Sequence, residues 1–269
     1  MFSFLKYIKE KSPKLNFFWF FLGSIYRYFI INLNINFYVN QRISKYGPFN
    51  MHCFFAFSNF KYWGSEEGSL FPLMMKICRK KKCIIDIGAH IGLTTLPLSS
   101  VTTKKSIIYS FEPSKINNKY LSLHLKKNNI KNVRVINKLV GKKNSDKISF
   151  YESKQPTGMN SIIEIKNKST IHNRKQVSLD SFIKKNKLKP DLIKIDAEGS
   201  EIFILEGGKN ILKKYKPDIF LSVHKNHFKA LNLNEEILLK IIRKIGYKIK
   251  DSEGNFLKNF NKNEYHLFV

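Results

Sequence analysis

From Cys83 onward, apolar runs of four to six residues alternate with stretches of helical character, and this order limits the folds open to the chain. Cys83–Ile87 (CIIDI) ends at Gly88, and Ser106–Phe111 (SIIYSF), Val133–Ile136, Leu192–Ile195 and Ile219–Val223 follow. Runs this short and mainly apolar read as strands covered on both faces. Helices are expected between them at Gly92–Ser100, Ser114–Asn128 with Ser114 as N-cap, Ser200–Lys213 and Asn234–Ile245. Such alternation builds a mostly parallel sheet with right-handed crossovers, flanked by helices. The rhythm breaks between Lys147 and Val177, where short runs at 148–151, 161–165 and 176–177 suggest a small antiparallel β insertion. Tyr247–Lys250 and Tyr265–Phe268 are placed to close the sheet as an antiparallel pair.

Residues 1–79 lack this order and are treated as an aromatic-rich helical extension or cap, with residues 80–269 as the main domain. Phe49–Trp63 reads as a strand pair or a buried cap. Lys6, Lys9, Lys11 and Lys14 precede the apolar run Leu15–Ile31. A spanning helix needs about 20 apolar residues. This run is shorter and carries Arg27, so an interfacial helix on a membrane surface, or one docked on the body, is expected. No small-residue cleavage site marks it as a signal peptide. Cys53, Cys78 and Cys83 have no metal or redox spacing and form no disulfide framework, with Cys83 expected in the core. A reducing, cytoplasmic setting follows, with membrane association through residues 15–31. Lys and Arg total 48 against 20 Asp and Glu, a net charge of +28. That balance either attracts an anionic partner or reflects a Lys-, Ile- and Asn-rich composition.

Three segments carry chemistry. Asp86-Ile87-Gly88-Ala89-His90-Ile91-Gly92 joins a strand to a helix, where glycines let backbone approach a ligand. The dinucleotide pattern G-x-G-x-x-G is absent, which weakens a pyrophosphate site. Glu112 ends the next strand, where a carboxylate can accept both ribose hydroxyls; otherwise it is an acid at a helix start. Lys194-Ile195-Asp196-Ala197-Glu198-Gly199-Ser200-Glu201 ends the fourth main strand. Ser200 is expected to cap the next helix and Glu201 to sit in its first turn, whereas charges at Lys194 and Asp196 are costly there unless paired or functional.

Together, DIGAHIG at 86–92, FEPS at 111–114, VSLDSF at 177–182, KIDAEGSEIFILEGG at 194–208 and LSVH at 221–224 resemble the FkbM family of methyltransferases. The resemblance covers residues 80–269 and implies a Rossmann-like class I methyltransferase fold with S-adenosyl-L-methionine as donor. It implies methyl transfer to oxygen, typically to a sugar hydroxyl of a glycan or glycolipid, or to another hydroxyl-bearing small acceptor. By the motif match Asp86, Gly88, His90 and Gly92 belong to the cofactor loop and Glu112 to the ribose. Asp180, in VSLDSF, either lies near the cofactor or caps a helix.

An alcohol acceptor must lose its proton to a base within reach. His224 at the end of the fifth strand is the first candidate, with a solvent-facing strand end as the bland alternative. Asp196 is the second, held by Lys194. Asp196, Glu198 and His224 also form a secondary candidate set for a divalent metal. Gly158–Ser161 is either part of the acceptor pocket or a plain turn, His172 and Arg174 are candidates to meet an anionic acceptor, and His227 is expected on the surface. Rival readings are an RNA O-methyltransferase, motivated by the charge, and an NAD-type oxidoreductase, with nucleic acid the weaker partner class.

Overall fold

The computed structural model describes residues 16–164 and 169–269, together with Ile8 and Lys11. Lys6, Lys9, Lys14 and Leu15 of the basic-flanked run, and Ile165 of the expected insertion, lie outside the described residues.

The N-terminal extension holds helix α1 (Asn16–Asn32), a hairpin of β1 (Tyr38–Ile43) and β2 (Tyr46–His52), and helix α2 (Phe71–Ile77). It is therefore mixed rather than purely helical; β2 takes in the first residues of the expected Phe49–Trp63 stretch, and Cys53, Phe54 and Phe55 that follow are buried. The main sheet then begins with β3 (Cys83–Ile87), β4 (Ile107–Phe111) and β5 (Val133–Ile136), with helices α3 (Thr95–Val101) and α4 (Lys115–Lys127) between them. Ser114 caps α4 as expected, its hydroxyl accepting from the Asn117 N–H at 3.1 Å. An insertion follows, in which β7 (Ser145–Ser153) pairs antiparallel with β8 (Ser169–Val177) and the short β6 (Leu139–Val140) pairs parallel with β8. Ser161 makes an isolated bridge to Tyr151 instead of the expected third strand.

Helix α5 (Leu179–Lys185), β9 (Leu192–Ile195), α6 (Glu201–Gly207), α7 (Lys209–Tyr215) and β10 (Asp218–Ser222) restore the alternation. The single helix expected over Ser200–Lys213 is broken at Gly208. There the Gly207 backbone runs so close to Gly141 that a Cβ would stand 2.1 Å from its carbonyl oxygen, so only glycine permits the contact. Helices α8 (Lys225–Ala230) and α9 (Glu235–Lys244) precede β11 (Lys248–Lys250) and β12 (Glu264–Phe268), the closing antiparallel pair.

The seven strands run in the order β11-β12-β10-β9-β3-β4-β5, with β10, β9, β3, β4 and β5 mutually parallel. Strand β3 pairs on one side with β4 and on the other with β9, so strand order reverses at β3. Ligand crevices of open α/β sheets form at such a switch, outside the carboxyl ends of the strands.

Side chains alternate between two cores. Ile85 and Ile87 face one, with Leu205 and Leu238, while Ile84 faces the other, with Leu96 and Leu121. Ile43, Met51, Phe71 and Met75 of the extension join this second core, so the extension covers one face of the sheet. Its hairpin is also tied to α4, because His52 N–H donates to buried His124 Nε2 at 3.1 Å. Cys53 and Cys78 are buried free thiols, whereas Cys83, expected in the core, is partly exposed. No helix among the described residues is long and apolar enough to cross a membrane. Helix α1 rests on the body through Tyr26 and Ile30, with the Tyr26 hydroxyl donating to Cys53 O at 2.9 Å. It leaves Phe17, Phe20, Phe21 and Tyr28 between 56% and 84% exposed.

Candidate active site

The chemistry-bearing segments converge at the carboxyl ends of β3, β4 and β9, around a cavity of about 150 Å³. Gly88, His90, Glu112, Lys194, Asp196 and Glu198 line it. Gly88 has φ +78°, and a Cβ there would stand 1.8 Å from Asp196 O, so the two strand ends can meet only across a glycine. His90 is also left-handed, at φ 52°. Its N–H donates to a Glu112 carboxylate oxygen at 2.7 Å, and the second oxygen accepts from Ser114 N–H at 2.9 Å. Burial pushes the Glu112 carboxyl up to about 7, against the pull of those donors. Burial likewise pushes His90 down to about 4, with nearby Lys194 adding to the effect, so its ring is neutral.

Two expected cofactor residues stand behind the cavity rather than on its wall. Asp86 is fully buried, accepts from the Thr95 hydroxyl at 2.6 Å and stands 3.5 Å from Lys194 Nζ. Gly92, at φ +103°, packs against Leu121 and Leu96 where the chain enters α3. Asp180 requires a correction. Its carboxylate accepts from Asn210 and Ile211 N–H groups at the start of α7, away from the cavity, so it caps a helix. Arg174 is corrected too: it is buried, ion-paired with Glu152 and bonded to Pro113 O, a strut with no free charge for an acceptor. His172 is exposed and bonds Thr170 on the same strand. Gly158 and Asn160 of the insertion line this same cavity.

Lys194 is the buried cation of the site. Its ammonium donates to Gly88 O at 2.9 Å and stands 3.3 Å from Asp196 and 3.5 Å from Asp86. Burial opposes its charge, but the two carboxylates outweigh that and keep it protonated. Burial also opposes charge on Asp196, yet Lys194 and His224 hold its carboxyl below the usual range.

His224 follows β10 at the start of α8. Its Nδ1 lies 2.6 Å from Glu201, and its Nε2 lies 3.5 Å from both Asp196 and Glu198. Burial pulls its pKa down, but the Glu201 hydrogen bond and the three carboxylates raise it to about 9. At neutral pH His224 is therefore a cation, which displaces it from its expected place as first-choice base. Glu201 is fully buried and accepts from Gly199 N–H as well as facing His224, and Ser200 makes no side-chain cap. His227, expected on the surface, is half-buried, with Nδ1 3.4 Å from Glu198. Burial raises Glu198 to about 7 despite His224 beside it. One atom each of Asp196, Glu198 and His224 lie within 4.8 Å of one another, so the donor set expected for a divalent ion does assemble.

Sequence reasoning missed Asn117 and Trp63, both on the cavity wall. Asn117 sits in the first turn of α4, and Trp63 arrives from the extension; no local pattern marks either one. Among the described residues, Asn117 Oδ1 and His90 Nε2 are buried without a hydrogen-bond partner, and both belong to residues of this wall. Unpaired buried polar atoms on a cavity are what a polar ligand would satisfy.

The family model described as the methyltransferase FkbM domain matches residues 86–249. No curated protein matches. Among solved structures, a methyltransferase FkbM from Methylobacillus flagellatus KT is similar at 21% identity and a TM-score of 0.47, over 71% of this chain and 44% of that one. The chain thus spans less than half the length of that relative. A precorrin-6y C5,15-methyltransferase from Geobacter metallireducens GS-15 is similar at 13% identity and a TM-score of 0.39, over 74% of this chain and 85% of that one. A Streptococcus mutans protein described as a methyltransferase, in complex with SAH, is similar at 13% identity and a TM-score of 0.42, over 73% and 92% respectively.

Proposed function

The chain belongs to the FkbM methyltransferase family, and from that membership we propose that it uses S-adenosyl-L-methionine to methylate an oxygen, a sugar hydroxyl of a glycan or glycolipid. The observation that carries this reading is the cavity at the strand switch, whose wall combines Gly88, Glu112 and two unpaired side-chain atoms, Asn117 Oδ1 and His90 Nε2. When bound, adenosylmethionine supplies an electrophilic methyl group on a sulfonium.

Glu112 accepts the ribose hydroxyls, since two backbone donors leave part of its lone-pair capacity open. Asn117 and His90 offer the two unpaired atoms to the same ligand. Asp196 would take the proton of an acceptor hydroxyl, and the bound donor would supply the methyl group that replaces it. Lys194 fixes the orientation of Asp196, and His224, held as a cation, stands on the other side of that carboxylate. Asp196, Glu198 and His224 could hold a divalent ion in place of the His224 proton.

Helix α1 adds a membrane contact to the proposal. Its exposed aromatic surface and the chain's charge of +28 suit peripheral docking on an anionic bilayer. Calorimetry tests the central reading: S-adenosyl-L-methionine binds the wild type, and Glu112→Ala weakens that binding about 100-fold. A folded wild type that binds NAD instead would return the oxidoreductase reading.

A further inference from the structure

A second cavity, about 160 Å³, adjoins the first across Trp63, Thr94, Lys194 and Asp196. Its floor is Phe220–Ser222 on β10, and its walls come from the extension between Trp63 and Met74 and from Glu264 on β12. We propose that this second cavity is the acceptor subsite and that it takes a neutral, polyhydroxylated ring. The inference rests on the reading of the first cavity as the cofactor site.

Transfer requires both reactants to reach the same residues. Asp196 and Lys194 line both cavities, so a ring in the second places a hydroxyl beside the group assigned to take its proton. The lining chemistry selects the class of ring. Trp63, Leu70, Phe71, Met74 and Phe220 offer an aromatic and apolar surface for the C–H face of a sugar. Glu66, Asp196 and Glu264 offer carboxylates, which accept hydrogen bonds from hydroxyls. Lys194 is the one basic residue on this wall, and Asp86 and Asp196 already neutralise it. In a chain of net charge +28, this is an acidic pocket. A phosphorylated acceptor or a nucleic acid backbone would meet like charge there and pay for it.

The walls also sit outside the shared domain. Trp63 to Met74 and Glu264 lie beyond the matched residues 86–249, which contain Lys194, Asp196 and the β10 floor. Glu264 binds the two outlying segments together, accepting from Leu70 N–H at 2.5 Å and from the Ser69 hydroxyl at 3.2 Å. Acceptor selectivity is thus a property of the extension and the last strand. The insertion around Gly158, left open between a part of the acceptor pocket and a plain turn, lines the first cavity.

The chain has two tryptophans, so Trp19→Phe leaves Trp63 as the sole reporter. In the full-length protein, SAH binding is measured first by calorimetry. Neutral methyl glycosides, and separately glucose 6-phosphate, are then titrated into the SAH-saturated protein while Trp63 emission is followed. A neutral glycoside is expected to give a saturable change, with glucose 6-phosphate at least about tenfold weaker. Glu66→Gln, on the exposed rim, is expected to weaken the glycoside about tenfold, the worth of one hydrogen bond to a charged group, with SAH affinity unchanged. If SAH binds and no glycoside alters Trp63, or the phosphate binds tighter, or Glu66→Gln has no effect, the acceptor assignment is wrong while the cofactor reading stands. If SAH itself fails to bind the folded protein, the cofactor reading falls and takes this one with it.

Discussion

The two cavities that meet at Asp196 are assembled from different kinds of sequence. The first draws most of its polar groups from strand ends, each within a few residues of a short motif: Gly88 and His90 after β3, Glu112 after β4, Asp196 and Glu198 after β9. The second joins segments at opposite ends of the chain, as the Ser69–Glu264 hydrogen bond across 195 positions illustrates. The difference separates what a local turn can specify from what only packing can bring together. It also suggests a division of labour, with donor binding in the shared sheet and acceptor choice in its peripheral covering.

Asp196 belongs to both cavities, so its loss is expected to have the largest effect. Asp196→Asn should lower kcat by about 10²- to 10⁴-fold, the usual worth of a general base, while SAH affinity changes little. Single-turnover kinetics beside SAH calorimetry checks this, with a melting curve as the folding control. An equal loss in both measurements would place Asp196 in donor binding alone.

Glu112→Ala should act on the first cavity only. About 100-fold weaker SAH binding is expected, since each hydrogen bond to a charged group is worth roughly 1.5–3 kcal/mol. Acceptor KM at saturating donor should stay unchanged; a parallel rise would dissolve the separation between the cavities.

The outer face of the extension offers a third contrast. Replacing Phe17, Phe20 and Phe21 by Ser should reduce cosedimentation with anionic vesicles at least about tenfold, because each aromatic buries substantial apolar area on docking. Donor binding in solution should not change. Vesicle binding that is insensitive to the triple variant would confine α1 to packing on the body.

A smaller effect concerns pH. His224 is held at about 9 by the surrounding carboxylates, above the ordinary histidine value of 6.5. Its stabilising contacts are fully present below about 6.5 and are lost as pH rises through 9. Tm should therefore fall between pH 7 and 9.5, with a shallower slope in His224→Gln. Turnover over the same range should not follow that titration if Asp196 takes the proton. A rise in kcat with an apparent pKa near 9 would return His224 to the role of base. The smallest expected effect is from EDTA, which should leave turnover intact. A loss reversed by Mg²⁺ would assign Asp196, Glu198 and His224 to a cation instead.

Much of this was legible in the chain because the relevant interactions are local. β3, β5 and β9 fall on the expected residues, since short, mainly apolar runs of four or five have few alternatives in an α/β fold. Asp180, left open between the cofactor and a helix cap, caps a helix, and Arg174, a candidate to meet an anionic acceptor, pairs in a strut, because a charged residue near a site motif suits either role. His224 was located correctly, but its protonation was not legible. Three carboxylates from other parts of the fold determine it, and one of them, Glu201, reads locally as an ordinary first-turn acid.

By itself, then, the sequence determined the alternating sheet, the glycine turn at 86–92, and the acids at 112 and 196, because strand pairing, φ and strand-end position depend on neighbouring residues. Only the tertiary structure decided that the extension covers one sheet face, that Trp63 and Glu264 wall a second cavity, and that Lys194 is neutralised from two sides. Those outcomes depend on burial and on charges brought together across the chain, and no local spacing encodes either.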